Sequence, residues 1–168
     1  MAVNDIFRVK NGETFPITLP EKNFHASFEI KPDGENPTVA LILAQADGTP
    51  VMTMKNFVFY VDTIPGKNIL TERCWNTIDI FCDGSSTRVD TDGKTTLFLD
   101  HPLEFAIFGG GEKPNHFRGY LRNMSVEKYS GPALLVPAEK IEIHPEFSIG
   151  NESGKIIDLS GKWEFNYA

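Results

Sequence analysis

The stretch TERCWNTIDIFCDGSSTRVDTDGKTTLFLDHPLEFAIFGGGEKPNHFRGYLRNMSVE, residues 71–127, holds four runs of strand character separated by turn-forming pairs. TIDIFC (77–82) leads into Asp83-Gly84-Ser85-Ser86, and STRVDT (86–91) into Asp92-Gly93. TLFL (96–99) follows, and LEFAIF (103–108) ends in Gly109-Gly110-Gly111. Asp-Gly pairs suit tight hairpins because such turns need positive φ, which glycine adopts without a Cβ clash. After a loop the chain continues as Phe117-Arg118-Gly119-Tyr120-Leu121-Arg122-Asn123-Met124-Ser125-Val126. Its alternation is interrupted: Tyr120, Arg122, Met124 and Val126 share one parity, Phe117 and Leu121 the other. A β-bulge near Gly119–Asn123 reconciles the two.

Upstream, IFRV and FPITL read as edge strands, because Pro16 and Pro20 cannot donate to a ladder. Phe24, Ala26, Phe28 and Ile30 alternate with His25, Ser27, Glu29 and Lys31, the pattern of a half-buried antiparallel strand. VALILA (39–44) is apolar on both faces and suits a central strand. VMTM and FVFYV (57–61) follow a turn at Asp47-Gly48-Thr49-Pro50, and Pro65-Gly66-Lys67 closes that segment, with room for a short helix around 67–73. Beyond a connector at 130–140, IEIHPEFSI (141–149) alternates again. The reading is an all-β, two-sheet antiparallel jelly-roll sandwich forming one domain over 1–168. Its core motif spans 23–129, and C-terminal strands within 141–168 either close the sandwich or lead into a further domain.

The order Trp75, Val89-Asp90, Gly109-Gly110, then Phe117-x-Gly119-x-Leu121-x-Asn123-Met124-x-Val126 resembles the second half of a laminin G-like domain. The resemblance covers 71–127 closely and 23–70 more loosely. It implies a concanavalin A-like sandwich, a fold that hosts lectins, adhesion modules, glycanases and lyases, so it carries little about function. It also implies a core or sheet-edge position for Trp75 and a calcium ion at the rim. Asp33, Asp47, Asp92 and Asp100 are the loop carboxylates available for calcium, and single turn aspartates more often form Asx-turns. The tail DLSGKWEFNYA is similar to the opening of a sugar-binding domain of multidomain glycosidases through Leu-x-Gly-x-Trp-x-Phe. That likeness implies neighbouring domains in a larger chain.

Forty per cent hydrophobic residues, thirteen Phe, eleven Pro and fourteen Gly describe a folded, turn-rich β protein. The net charge of −7 argues against a general nucleic-acid binder, which needs a concentrated basic face. No apolar run reaches the ~20 residues of a membrane span, and the first ten residues lack a signal-peptide core. If 74–82 is one extended strand, Cys74 and Cys82 lie roughly 26 Å apart at ~3.3 Å per residue, too far for a disulfide.

Jelly-roll glucanases resemble Glu-x-Asp-x-x-Glu or Glu-Ile-Asp-x-Glu along one strand, with alternate carboxylates facing the cleft. Around Asp79 both flanking glutamates are missing. Asp79 alone cannot run a two-carboxylate mechanism, so it reads as an exposed polar position and the chain as non-catalytic. His25, His101, His116 and His144 have no metal-ligand spacing. His25 and His144 fall on the polar faces of their strands, where solvation is the plain reading and a ligand-binding sheet the other. The expected ligand patch is Asn115, His116, Arg118 and Tyr120: an amide, an imidazole, a guanidinium and an aromatic ring on a loop at one sandwich end. The leading expectation is a binding module for a carbohydrate or a protein, within a larger extracellular or cell-surface protein. A structural β-sandwich mediating assembly is the alternative, and a divergent glycan hydrolase or lyase the third.

Overall fold

The computed structural model describes residues 5–112 and 115–134. Twelve strands form two six-stranded antiparallel sheets, and the described residues contain no helix. The strands are β1 (Phe7–Val9), β2 (Thr14–Pro16), β3 (Asn23–Pro32), β4 (Val39–Ala44), β5 (Pro50–Lys55) and β6 (Val58–Val61). Then follow β7 (Ile64–Ile69), β8 (Asn76–Asp83), β9 (Thr87–Thr91), β10 (Lys94–Leu99), β11 (Ile107–Gly109) and β12 (Gly119–Lys128). Sheet I has the order β1-β12-β3-β8-β9-β10 and sheet II the order β2-β11-β4-β5-β6-β7. The strands expected at 141–149 and in the tail lie outside the described residues.

The alternation of β3 is realised residue by residue: Phe24, Ala26, Phe28 and Ile30 are buried, and their neighbours half-buried. β8 repeats the pattern with Ile78, Ile80 and Cys82 inward. Facing them from sheet II are Ile42, Leu43, Met52, Met54 and Phe59. Phe108 sits at the centre, with ring centroids 5.6 Å from Phe28, 5.8 Å from Phe117 and 6.3 Å from Phe15. Tilted and edge-on aromatic contacts of this kind add to the area buried.

β1 and β2 are edge strands of different sheets, and β4 is interior between β11 and β5. The β9–β10 hairpin turns on Asp92 (φ 50°) and Gly93 (φ 75°), the two left-handed positions a two-residue turn requires. Asp83 Oδ1 accepts the Ser85 and Ser86 N–H groups in the β8–β9 turn. The bulge in β12 falls between Arg122 and Ser125, with Asn123 at φ 53°. It switches the buried parity from Phe117 and Leu121 to Met124 and Val126, which pack against the core. The cysteines are free; Cys82 is buried and Cys74 exposed.

Two expectations are corrected. Residues 64–69 form strand β7 where a short helix was allowed, because β7 pairs with β6 and its Asn68 N–H donates to Thr96 Oγ1 on β10 at 3.0 Å. Of the expected strand 103–108, only 107–108 lie in the ladder. Residues 100–106 cross between the sheets, with Leu103 and Phe105 closing one end of the core. Of the two positions expected for Trp75, core or sheet edge, the core one is not taken: the ring is half-buried just before β8, with the Arg122 guanidinium 4.0 Å from its centre.

Candidate functional site

The four expected site residues do not share one surface. β11 is short, and the returning segment takes its place beside β4: Leu41 N–H donates to Asn115 O at 2.9 Å, and Leu41 bridges His116 in parallel. Asn115 stays exposed, while the His116 side chain turns inward, 2% exposed, its Nδ1 without a hydrogen-bond partner. Arg118 is half-buried. Its main chain is clasped by the Asn36 amide (Nδ2 to Arg118 O, 2.6 Å; Arg118 N to Oδ1, 2.8 Å). Tyr120 alone reaches the outer face of sheet I, where its hydroxyl accepts from Arg8 and Lys31 lies 5.8 Å from its ring.

The outer face of sheet I gathers a denser set of groups. Register places Glu127, His25, Phe81, Arg88 and Phe98 opposite one another on β12, β3, β8, β9 and β10. The His25 ring stacks on Phe81 at 4.2 Å and 6°, and the Arg88 guanidinium lies 4.4 Å from the same ring centre. His25 Nε2 meets Asp79 Oδ1 at 2.8 Å, and its Nδ1 meets Glu127 Oε1 at 3.2 Å. The ring thus lies between two carboxylates, one on each nitrogen. Asp79 is therefore not a fully exposed position: its side chain is 22% exposed and held by His25, itself half-buried.

The next row along the strands is Ser125, Ser27, Asp79, Asp90 and Thr95. Asp79 and Asp90 are directly opposed on neighbouring strands, a pairing that like charges make unfavourable. Each is offset by a partner: Arg88 Nε lies 3.1 Å from Asp90 Oδ1, which also accepts the Thr95 hydroxyl at 3.0 Å. In the third row, Arg122 makes a two-point bond to Glu29 at 3.0 and 3.1 Å, and Asn123 adds a further donor. These bonds hold the Glu29 carboxyl below its usual range; Arg122 is the largest cause, and burial opposes it.

A second carboxylate, that of Asp90, faces Asp79 across the ladder. Sequence spacing missed it because the two residues meet only through register. Two concavities lie elsewhere, around Pro102–Glu104 at one sandwich end; one of about 390 Å³ is lined by Leu19, Phe24, Leu103 and Phe105 together with Glu21, Lys22 and Glu104.

The four loop carboxylates each have a partner nearby. Asp47 Oδ1 accepts Thr49 N–H, Asp92 Oδ1 accepts Thr77 N–H, Asp33 pairs with Arg8, and Asp100 lies beside His101. Among the described residues, no three metal-ligating side chains converge.

No protein-family model and no curated protein matches this chain. Among solved structures, it is similar to the heptameric SAP-like pentraxin of Limulus polyphemus at 16% identity and a TM-score of 0.50, over 75% of this chain and 77% of that one. Domain 4 of an extracellular GH43 arabinanase from Geobacillus stearothermophilus, solved with arabinotriose, aligns at 12% identity and TM-score 0.48, over 71% and 69%. A Caenorhabditis elegans galectin aligns at 10% identity and TM-score 0.45, over 71% and 95%. The chain has the concanavalin A-like lectin/glucanase β-sandwich fold.

Proposed function

We propose that this protein is a non-catalytic module that binds a carbohydrate on the outer face of sheet I. The observation that carries the reading is the in-register Asp79–Asp90 pair, set among His25, Arg88, Glu29 and Arg122. Two carboxylates facing each other across a ladder work against folding, and departures from local consistency gather at functional sites. The surrounding ion pairs hold these side chains in fixed positions before any ligand arrives, which lowers the ordering cost of binding. An extracellular or cell-surface placement, beside other domains of a larger chain, belongs to the same proposal.

The opposed carboxylates also favour a second reading, a glycan hydrolase or lyase. A hydrolase of the two-carboxylate kind needs one group kept as an acid by apolar surroundings. Here Asp79 has His25 and Asp90 has Arg88 and Thr95, partners that suit two ionised acceptors. Release of reducing ends or unsaturated products, lost in Asp79→Ala, would establish the enzyme reading instead.

Thermal melting across a panel of soluble polysaccharides tests binding. A ligand at ~100 times its dissociation constant stabilises by about 2.7 kcal/mol, a rise of a few degrees for a chain of this length. A melting temperature unmoved by every member of the panel counts against the carbohydrate reading and in favour of an assembly role.

A further inference from the structure

Resting on the carbohydrate-binding reading, we infer that the ligand is an uncharged, hydroxyl-rich glycan chain lying across the strands, and that anionic polysaccharides are rejected. The shape comes from register. Ser125, Ser27, Asp79, Asp90 and Thr95, one from each of β12, β3, β8, β9 and β10, form a row of short side chains. Longer side chains stand beside it: His25, Phe81 and Arg88 on β3, β8 and β9 along one side, and Arg122 and Glu29 on β12 and β3 along the other, where β8 contributes the short Thr77. Short groups between long ones leave a furrow perpendicular to the strands. Five strands span four inter-strand spacings, roughly 19 Å, the reach of a chain segment and more than one sugar unit needs.

The charge pattern selects the ligand. The charged and polar groups beside the furrow each face a carboxylate of the same sheet face: Arg122 bonds Glu29, Arg88 Nε lies 3.1 Å from Asp90 Oδ1, and the His25 ring meets Asp79. A carboxylate already beside each of them weakens its draw on a uronate, sulfate or sialate group. The two floor carboxylates use Oδ1 for those partners, and neither Oδ2 has a hydrogen-bond partner among the described residues. An ionised carboxylate accepts and never donates, so these oxygens take ligand hydroxyls and repel a second anion. Phe81 is covered by His25 on one side and Arg88 lies over its ring, so recognition runs through hydroxyl donation and not through stacking on that ring.

Affinity electrophoresis tests this with arabinan, xylan and mixed-linkage β-glucan as neutral probes, and alginate, polygalacturonate and heparin as anionic ones. The expected result is retardation by at least one neutral polymer and at least tenfold weaker retardation by every anionic one. Asp79→Asn and Asp90→Asn should each weaken the neutral interaction at least tenfold. Ser125→Trp fills one end of the furrow from an exposed position and should do the same with an unchanged melting temperature, which keeps the test sound if either Asn variant folds poorly. Retardation by anionic polymers as strong as by neutral ones overturns the inference while leaving carbohydrate binding standing. So does a Ser125→Trp variant that binds as wild type. Retardation by no polymer overturns the carbohydrate reading itself, and the inference with it.

Discussion

Glu29 sits where three donors meet: two guanidinium N–H groups of Arg122 and the Asn123 amide. Because folding favours its ionised form, Glu29 contributes stability in full above the ordinary carboxylate range. The contribution drains away as pH falls through about 4.3 towards the depressed folded value. Asp83 acts in the same sense, chiefly through the Leu134 N–H that it accepts at 2.8 Å. The melting temperature should therefore fall on acidification below about pH 4.5. Glu29→Gln should melt lower than wild type at pH 7 and lose part of that pH dependence. A wild-type melting temperature constant from neutral pH down to about pH 3 would contradict this account of Glu29 and Asp83.

At the scale of elements, β12 ties sheet I together, pairing with β1 on one side and β3 on the other. Its first residue, Gly119, has φ 155°, and a Cβ there would overlap the Lys31 carbonyl oxygen of β3. Gly119→Ala must push the two strands apart, and we expect a loss of more than ~3 kcal/mol, read as a lower urea midpoint. A midpoint within experimental error of wild type would mean that β12 does not approach β3 this closely.

Elements were legible where one local signal decided them. Period-two alternation marked β3 and β8, Asp92-Gly93 marked its hairpin, and the parity break after Leu121 marked the bulge. β7 was not, because Pro65 and Gly66 look like a breaker, while its strand form rests on pairing with β6 and a bond to β10. The binding face was half legible. His25 and Asp79 could be put on polar faces, but their meeting, and that of Asp79 with Asp90, depends on strand order and register. Single-strand spacing carries neither.

On the scale of the molecule, the core is one continuous cluster between the sheets, and Phe108 joins its parts by contacts with Phe15, Phe28 and Phe117. Phe108→Ala removes a fully buried ring from that junction and should cost about 3–5 kcal/mol, measured by denaturant unfolding. A cost below about 1 kcal/mol would show that the sheets close without it. The outer face of sheet I carries the half-buried Asp79 and the 9% exposed Asp90 with their partners.

The central claim is the location of binding, and backbone amide shift mapping by NMR tests it most directly. Arabino-, xylo- and cello-oligosaccharides would be titrated into the isotope-labelled protein. The account predicts shifts concentrated at Ser27, Asp79, Asp90, Thr95 and Ser125, with Leu103–Phe105 and Asn115–His116 unchanged. Shifts confined to the Leu103–Phe105 end or to the Asn115–His116 loop, with the sheet I face silent, would contradict it.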